Sequence, residues 1–292
     1  MINFIERVLS YPEYSRQFSC GENLITVFNC PIEARLMKTK FADLWSQHNY
    51  IFYVIDGRKI FHTAHGSYDL RKGSCVFIKK GAAILENFLD IGFCVILFFI
   101  PDGFICDALQ SKKITADQKT ATNETLLQLE SSETLAAFFY SISSYFANTK
   151  EPDPQLLELK FRELILTIAD NPTNASLLAY FCSLLHAPQS VQMERVMNDN
   201  FCFNLSLEQY ARLCNRSLSS FKRDFKNIFF TTPGKWLYQK RLTHAMHLIS
   251  NLHRTVSEAA FESGFENPSH FSREFKKHFG VHPSAVKQPA IL

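Results

Sequence analysis

The 292-residue chain has no apolar run long enough to cross a membrane; the longest, residues 91–100, is half the roughly 20 residues that a spanning helix needs. That stretch suits a buried strand. An uninterrupted apolar segment of secretory form is also missing at the start, because Glu6, Arg7 and Glu13 fall inside the first apolar stretches. The chain is therefore expected to stay in the cytoplasm and away from membranes. Its 8 cysteines include no CxxC pair and no alternation with histidine at metal-ligand spacing, which argues for reduced, buried thiols and against a disulfide framework or a zinc site. A GxSxG elbow, a P-loop and a paired-carboxylate signature are absent as well, so neither an enzyme nor a bound cofactor is expected. Strong net charge is lacking too, at +3.

What is present is a large supply of core residues. Hydrophobic residues make up 46% of the chain and Phe occurs 28 times, the composition of a well-packed globular protein whose length suits two domains. The small net charge hides an uneven distribution. Residues 189–292 hold 14 Lys and Arg against 8 Asp and Glu, while the remainder holds 17 against 20. A basic C-terminal end suits a polyanionic partner, although a solvated basic face would look similar.

From Leu24 to about Ile100 the pattern is of short apolar segments such as residues 50–55 and 93–100. Turn signals at Asp56-Gly57, His65-Gly66, Lys72-Gly73 and Lys80-Gly81 separate them, which predicts an antiparallel barrel or sandwich. Phe52, Val54, Phe77, Phe93, Val95 and Phe99 are candidates for its interior. Residues 111–123 are polar and lack aromatics, as a surface connection would. Helical periodicity then takes over. Leu135, Phe138, Phe139, Ile142, Tyr145 and Phe146 share one face of a helix over residues 133–148. Pro154 opens a second helix with Leu156, Leu159, Phe161, Leu164, Ile165 and Ile168, and a third spans residues 176–185. The expected organisation is α+β: a β-rich part over residues 1–110, a linker and helices over 111–188, and an all-α part over 189–292.

The last part contains an internal repeat. Shifted by fifty residues, Ser219, Phe221, Arg223, Phe225 and Lys226 fall on Ser269, Phe271, Arg273, Phe275 and Lys276, and Phe229 and Pro233 on Phe279 and Pro283. Each copy opens on an N-cap residue, Ser217 or Asn267. On a helical wheel Leu218, Phe221, Phe225 and Ile228 lie on one side, with Ser219, Lys222, Arg223 and Lys226 on the other; Phe271 and Phe275 stand opposite Ser269, Ser272, Arg273 and Lys276. A short helix precedes each copy, with a small inward residue, Ala211 or Ala260, and a tight turn follows it. The second turn is one residue longer and contains Gly264, suited to the left-handed conformation. A short helix, a tight turn and a helix with a polar-basic outer face make a helix-turn-helix, here in duplicate. Between the copies, residues 233–250 read as one long helix that buries Trp236, Leu237, Leu242, Ala245, Leu248 and Ile249. If it holds the two outer faces about one DNA turn apart, ~34 Å, both can enter successive major grooves.

Residues from about 191 to 288 resemble the DNA-binding domain of the AraC/XylS transcription regulators. The resemblance rests on Ala211, residues 217–226, Pro233, Arg241, Leu242, Ala245, Ala260, Gly264 and Phe265, residues 269–279 and Pro283. It implies a bipartite seven-helix domain whose third and sixth helices read major grooves. Base contacts would fall on Ser219, Lys222 and Arg223 and on Ser269, Ser272 and Arg273. Arg223 and Arg273 are the side chains best suited to forked contact with guanine. Lys226, Lys235, Lys276 and Lys277 are expected at phosphates. Arg241 is open to two readings, another DNA contact or an internal partner for an acidic residue of the first unit. The same resemblance implies RNA polymerase as a partner, a homodimer, and a cupin-like antiparallel β-barrel as regulatory domain, similar over residues 50–81 and the helices up to Asp170 to ExsA-like regulatory domains.

Two further readings concern the first half. A metal-dependent cupin enzyme is the alternative, but the turn that carries a histidine in metal-binding cupins has Ile84 there. His48, His62 and His65 lack a convincing carboxylate partner, so no metal is expected. An apolar barrel interior suits a small apolar effector or a regulatory protein better than a sugar. Leu135, Phe138, Phe139, Leu156 and Leu159 are candidates for pairing two chains, or for packing on their own barrel.

Overall fold

The computed structural model describes residues 1–31, 39–110, 112, 123–130, 132–147 and 150–286. The polar connection expected over 111–123 lies outside them except for Lys112 and Asn123. The chain forms two compact units, Met1–Gln192 and Met193–Leu292.

In the first unit β1 (Ile2–Asn3) and α1 (Phe4–Leu9) lead into β2 (Ser15–Cys20), β3 (Asn23–Cys30), β4 (Phe41–Ser46), β5 (Asn49–Asp56), β6 (Arg58–Thr63), β7 (Gly66–Arg71), β8 (Cys75–Ile78), β9 (Gly81–Asn87) and β10 (Phe93–Ile100). Helix α2 (Asp102–Leu109), strand β11 (Leu126–Gln128) and helices α3 (Glu133–Ala147), α4 (Pro154–Asp170) and α5 (Ala175–His186) follow. The strands form a five-stranded sheet, β1-β4-β9-β6-β7, and a six-stranded sheet, β11-β8-β5-β10-β3-β2. All pairings are antiparallel except β1 with β4. The expected barrel is therefore two sheets that do not close into one ring.

The six-stranded sheet is covered on both faces, which explains its unbroken apolar strands. On β5 and β10, Tyr50, Phe52, Val54, Phe93, Val95, Leu97 and Phe99 belong to one core cluster, shared with Leu44, Phe61 and Leu85 of the other sheet. The alternate residues Ile51, Ile96, Phe98 and Ile100 belong to a second cluster with α2, α3, α4 and α5. Phe77 departs from its expected place. It lies in the helix-side cluster, with its ring 5.5 Å from Phe181, because its neighbours Val76 and Ile78 take the sheet-side positions of β8.

The same covering corrects three of the pairing candidates. Leu135, Phe138 and Phe139 are buried in their own unit: Phe138 packs 5.8 Å from Phe98, and Phe139 stacks on Tyr53 at 4.1 Å. Without α3 this face of the sheet would meet water, so these side chains serve the fold and are not surface. Leu156 and Leu159, 44% and 61% exposed, remain outside the core.

The second unit is helical. After α6 (Gln189–Asn200) come α7 (Leu207–Leu213), α8 (Leu218–Phe229), α9 (Pro233–Asn251), α10 (Val256–Glu262) and α11 (Pro268–Phe279), then a 3-10 turn at Pro283–Ala285. Among the described residues no helix is long and apolar enough to cross a membrane.

Candidate nucleic-acid interface

The two helix pairs α7-α8 and α10-α11 are built by the same local chemistry. Each first helix opens on a capping box. The Ser206 hydroxyl accepts Gln209 N–H at 3.2 Å and the Gln209 side chain accepts Ser206 N–H at 2.8 Å; Thr255 and Glu258 repeat this at 3.2 and 2.9 Å. Both boxes were legible as S-x-x-Q and T-x-x-E, a signal that the outer-face pattern overshadowed. Each first helix also ends alike. Asn215 N–H bonds to Arg212 O and Arg216 N–H to Ala211 O, both at 2.9 Å; Gly264 N–H bonds to Phe261 O and Phe265 N–H to Ala260 O, again at 2.9 Å. This paired closure needs a left-handed residue, and Asn215 (φ 54°) and Gly264 (φ 83°) provide it. Asn215 is the counterpart of Gly264 that sequence reading missed, although Asn is the side chain that best tolerates this conformation.

The turn then hands over to α8 or α11. Ser217 caps α8 by accepting Ser220 N–H at 3.3 Å, and Asn267 caps α11 by accepting Ser269 and His270 N–H at 2.9 and 3.0 Å. The inner faces carry matching ladders of rings. Phe221–Phe225 and Phe225–Phe229 centroids are 5.8 and 4.4 Å apart; Phe271–Phe275 and Phe275–Phe279 are 5.3 and 4.7 Å apart. With Phe221, Phe225, Phe271 and Phe275 fully buried, the opposite sides must face out.

Ser219, Lys222, Arg223 and Lys226 on α8 are exposed, as are Ser269, Arg273, Lys276 and Lys277 on α11 and Lys235 near the start of α9. Ser272 differs. It is half-buried, and its hydroxyl donates to Pro268 O at 2.9 Å, which leaves its oxygen able only to accept. Arg223 donates through Nε to Asp224 Oδ1 at 3.2 Å, so its terminal nitrogens remain for an outside acceptor. Arg216 holds the other Asp224 oxygen at 2.7 Å. In the second copy Glu274, the counterpart of Asp224, instead accepts the Tyr238 hydroxyl of α9; this bond holds its carboxyl below the ordinary range. The Tyr238–Glu274 bond was not foreseen, because it depends on which helices meet in space.

Arg241 resolves inward, and among the described residues no acidic side chain pairs with it. Its guanidinium donates to the carbonyls of Phe201, Phe203 and Gly264 at 2.6, 2.8 and 3.1 Å. It thus ties the segment before α7, the long helix α9 and the turn between α10 and α11 into one body. Gly264 leaves no room for a side chain there, since a Cβ would lie 2.5 Å from Cys202 O. Leu242, Ala245, Leu248 and Ile249 of α9 complete the core against Ala259, Ala260, Phe271 and Phe275.

In the first unit His62 has the carboxylate partner that its sequence did not reveal. Its Nε2 lies 3.0 Å from Glu86 and its Nδ1 2.7 Å from the Ser67 hydroxyl, with Lys40 3.0 Å from the same carboxylate. The imidazole is thus held within the sheet surface by protein groups at both nitrogens. Among the described residues no group of three or more His, Cys, Asp or Glu could hold a metal ion.

A β-rich unit joined to a helical unit with a duplicated helix-turn-helix has the make-up of a DNA-binding transcription regulator. Two protein families match the chain: the ExsA N-terminal regulatory domain over residues 49–180 and a helix-turn-helix domain over residues 210–288. The virulence regulon transcriptional activator VirF of Yersinia enterocolitica is 22% identical over 244 residues, covering 82% of this chain and 89% of VirF. The HTH-type transcriptional regulator ExsA of Pseudomonas aeruginosa is 22% identical over 249 residues, 82% and 85% of the two chains. The HTH-type transcriptional activator RhaS of Klebsiella pneumoniae is 25% identical over 274 residues, 88% and 91%. Among solved structures, wild-type ToxT from Vibrio cholerae with an unsaturated fatty acid bound matches at a TM-score of 0.41 and 16% identity, over 91% of this chain and 95% of its own. VirF, ExsA and RhaS are AraC-family transcription regulators, and this chain is similar to them over most of its length, with an ExsA-type regulatory region ahead of the helix-turn-helix region. Its relatives are regulators and not enzymes.

Proposed function

We propose that the chain activates transcription by laying α8 and α11 into successive major grooves of one duplex, with residues 189–292 as the DNA-binding part. Ser219, Lys222, Arg223, Ser269, Ser272 and Arg273 contact bases, Ser272 as an acceptor only. Lys226, Lys235, Lys276 and Lys277 hold phosphates. The observation that carries this reading is the duplication itself: two outward polar-basic faces, each backed by the same aromatic ladder, on a body locked by α9 and Arg241. A single solvated face would need neither the second copy nor the lock.

The test is selection of duplexes from a randomised pool by the wild-type chain, followed by binding of Arg223→Ala and Arg273→Ala. Each substitution is expected to erase preference at one of two half-sites, about 1–3 kcal/mol of discrimination, with folding intact. Unaltered preference in both variants at matched salt would reject the assignment.

Regulation enters through the first unit, by an apolar effector or a protein partner. Between its sheets lies a cavity of about 50 Å³ lined by Phe4, Val8, Phe28, Phe52, Lys59 and Phe93 among others. Its size in this conformation suits only a small group, so a larger effector would have to part the sheets. Recruitment of RNA polymerase and dimerisation, through Leu156 and Leu159 on the exposed side of α4, complete the proposal.

A further inference from the structure

Phe230 ends α8 in a way that the fold does not require. As C-cap residue it sits at φ 54° and ψ 23°, in the left-handed region, and it is 91% exposed. Both features cost free energy, since a side chain at positive φ crowds the backbone and an exposed phenyl forgoes burial. The second copy supplies the control. Helix α11 ends at the equivalent place with Gly280 at φ 76°, and its N–H bonds to Lys276 O at 2.8 Å just as Phe230 N–H bonds to Lys226 O at 3.0 Å. The cap closes without any side chain, and glycine makes it without strain. Strain combined with exposure points to a surface kept for contact.

The surroundings indicate what is contacted. Residues 217–240 contain five Lys and Arg and a single carboxylate, Asp224, which Arg216 already engages. Lys226 lies one helical turn before Phe230, and Lys235 stands in the first turn of α9, which Thr232 caps; both lysines are exposed. The phenyl is thus an apolar group on a cationic surface directly beyond a recognition helix. We infer that Phe230 packs against a deoxyribose of the DNA backbone, between phosphates held by Lys226 and Lys235; this rests on the groove arrangement proposed above. A sugar offers an apolar face at every nucleotide, so the contact reads no base, and it displaces no counterion.

The full-length chain and its Phe230→Gly and Phe230→Asn variants are to be compared in thermal melts and in binding across a salt series. The probes are a duplex selected by the wild type from a randomised pool and a duplex of scrambled sequence. Phe230→Gly is expected to melt up to about 4 °C higher than wild type while binding both duplexes about fivefold to tenfold more weakly, with an unchanged salt slope. Asn tolerates the left-handed region and lacks the ring, so Phe230→Asn should show the same loss without the flexibility of glycine. Wild-type affinity in both variants, a loss confined to one duplex, an altered salt slope, or a lower melting temperature accompanying the loss would each overturn the inference. Altered transcription with unaltered DNA affinity would also overturn it, in favour of a protein contact. Failure of the wild type to select any duplex would instead remove the groove arrangement itself, an outcome distinct from normal selection by a chain indifferent to Phe230.

Discussion

Single side chains of the same type have opposite tasks in this molecule, and their partners decide which. Arg223 and Lys276 are exposed on outer faces, whereas the Arg241 guanidinium is spent on three carbonyls. Lys276→Ala should therefore weaken binding to every duplex and reduce the slope of log affinity against log salt by about one, because one phosphate contact is lost. A loss seen at particular bases only would contradict that role. Lys59 offers a test in the first unit. The residue is 1% exposed, its ammonium donates to Asn87 Oδ1 at 2.9 Å and lies over the Phe93 ring, and burial lowers its pKa from 10.5 to about 8. Below about pH 8 both folded and unfolded chains hold the proton, so the cost of burying the charge is fully present. Between there and 10.5 the folded chain has released a proton that the unfolded chain still binds, so stability rises with pH. Lys59→Met should be more stable than wild type at neutral pH, and the difference should shrink as pH rises through this window in denaturant melts. A difference that does not change with pH would show that the charge is not what burial penalises.

At the scale of elements, the periodicity of apolar residues was enough to locate α3, α4, α8, α9 and α11, because each helix must bury one stripe and the stripe is written at three-and-four spacing. The turns were only partly legible. Gly264 announces a left-handed residue by its type, whereas Asn215 does the same work behind a side chain that is common on any surface. The joint between the two helix-turn-helix copies was less legible still, since Arg241 meets residues up to 40 positions away. Gly264→Ala should destabilise the second unit by at least about 2 kcal/mol, because the new Cβ meets both a positive φ and Cys202 O. Arg241→Met should cost about 2–4 kcal/mol in chemical denaturation, through three carbonyls left without their donor. It should also lower affinity for a selected two-half-site duplex more than for a single half-site. Equal losses on both duplexes would mean that Arg241 stabilises the unit without fixing the spacing of α8 and α11.

For the whole molecule, self-association is the property to measure. Leu156 and Leu159 are leucines on α4 that remain 44% and 61% exposed, while Leu135, Phe138 and Phe139 are consumed by the sheet. Replacing Leu156 and Leu159 together by Lys should shift a dimer to monomer in sedimentation without changing the melting temperature; a dimer that persists would place the interface elsewhere. The amino-acid order by itself determined the two-part α+β make-up, the duplicated helix-turn-helix and the residues of its outer faces, since these are local periodicities and a repeat that any register comparison exposes. Only the tertiary structure decided that the strands form two sheets instead of a closed barrel, that Phe77 faces the helices, that Arg241 binds carbonyls, and that His62 has Glu86 beside it. Those outcomes depend on contacts between segments far apart in the chain, whose pairing is set by how all the apolar faces are covered at once and leaves no mark in any one stretch of sequence.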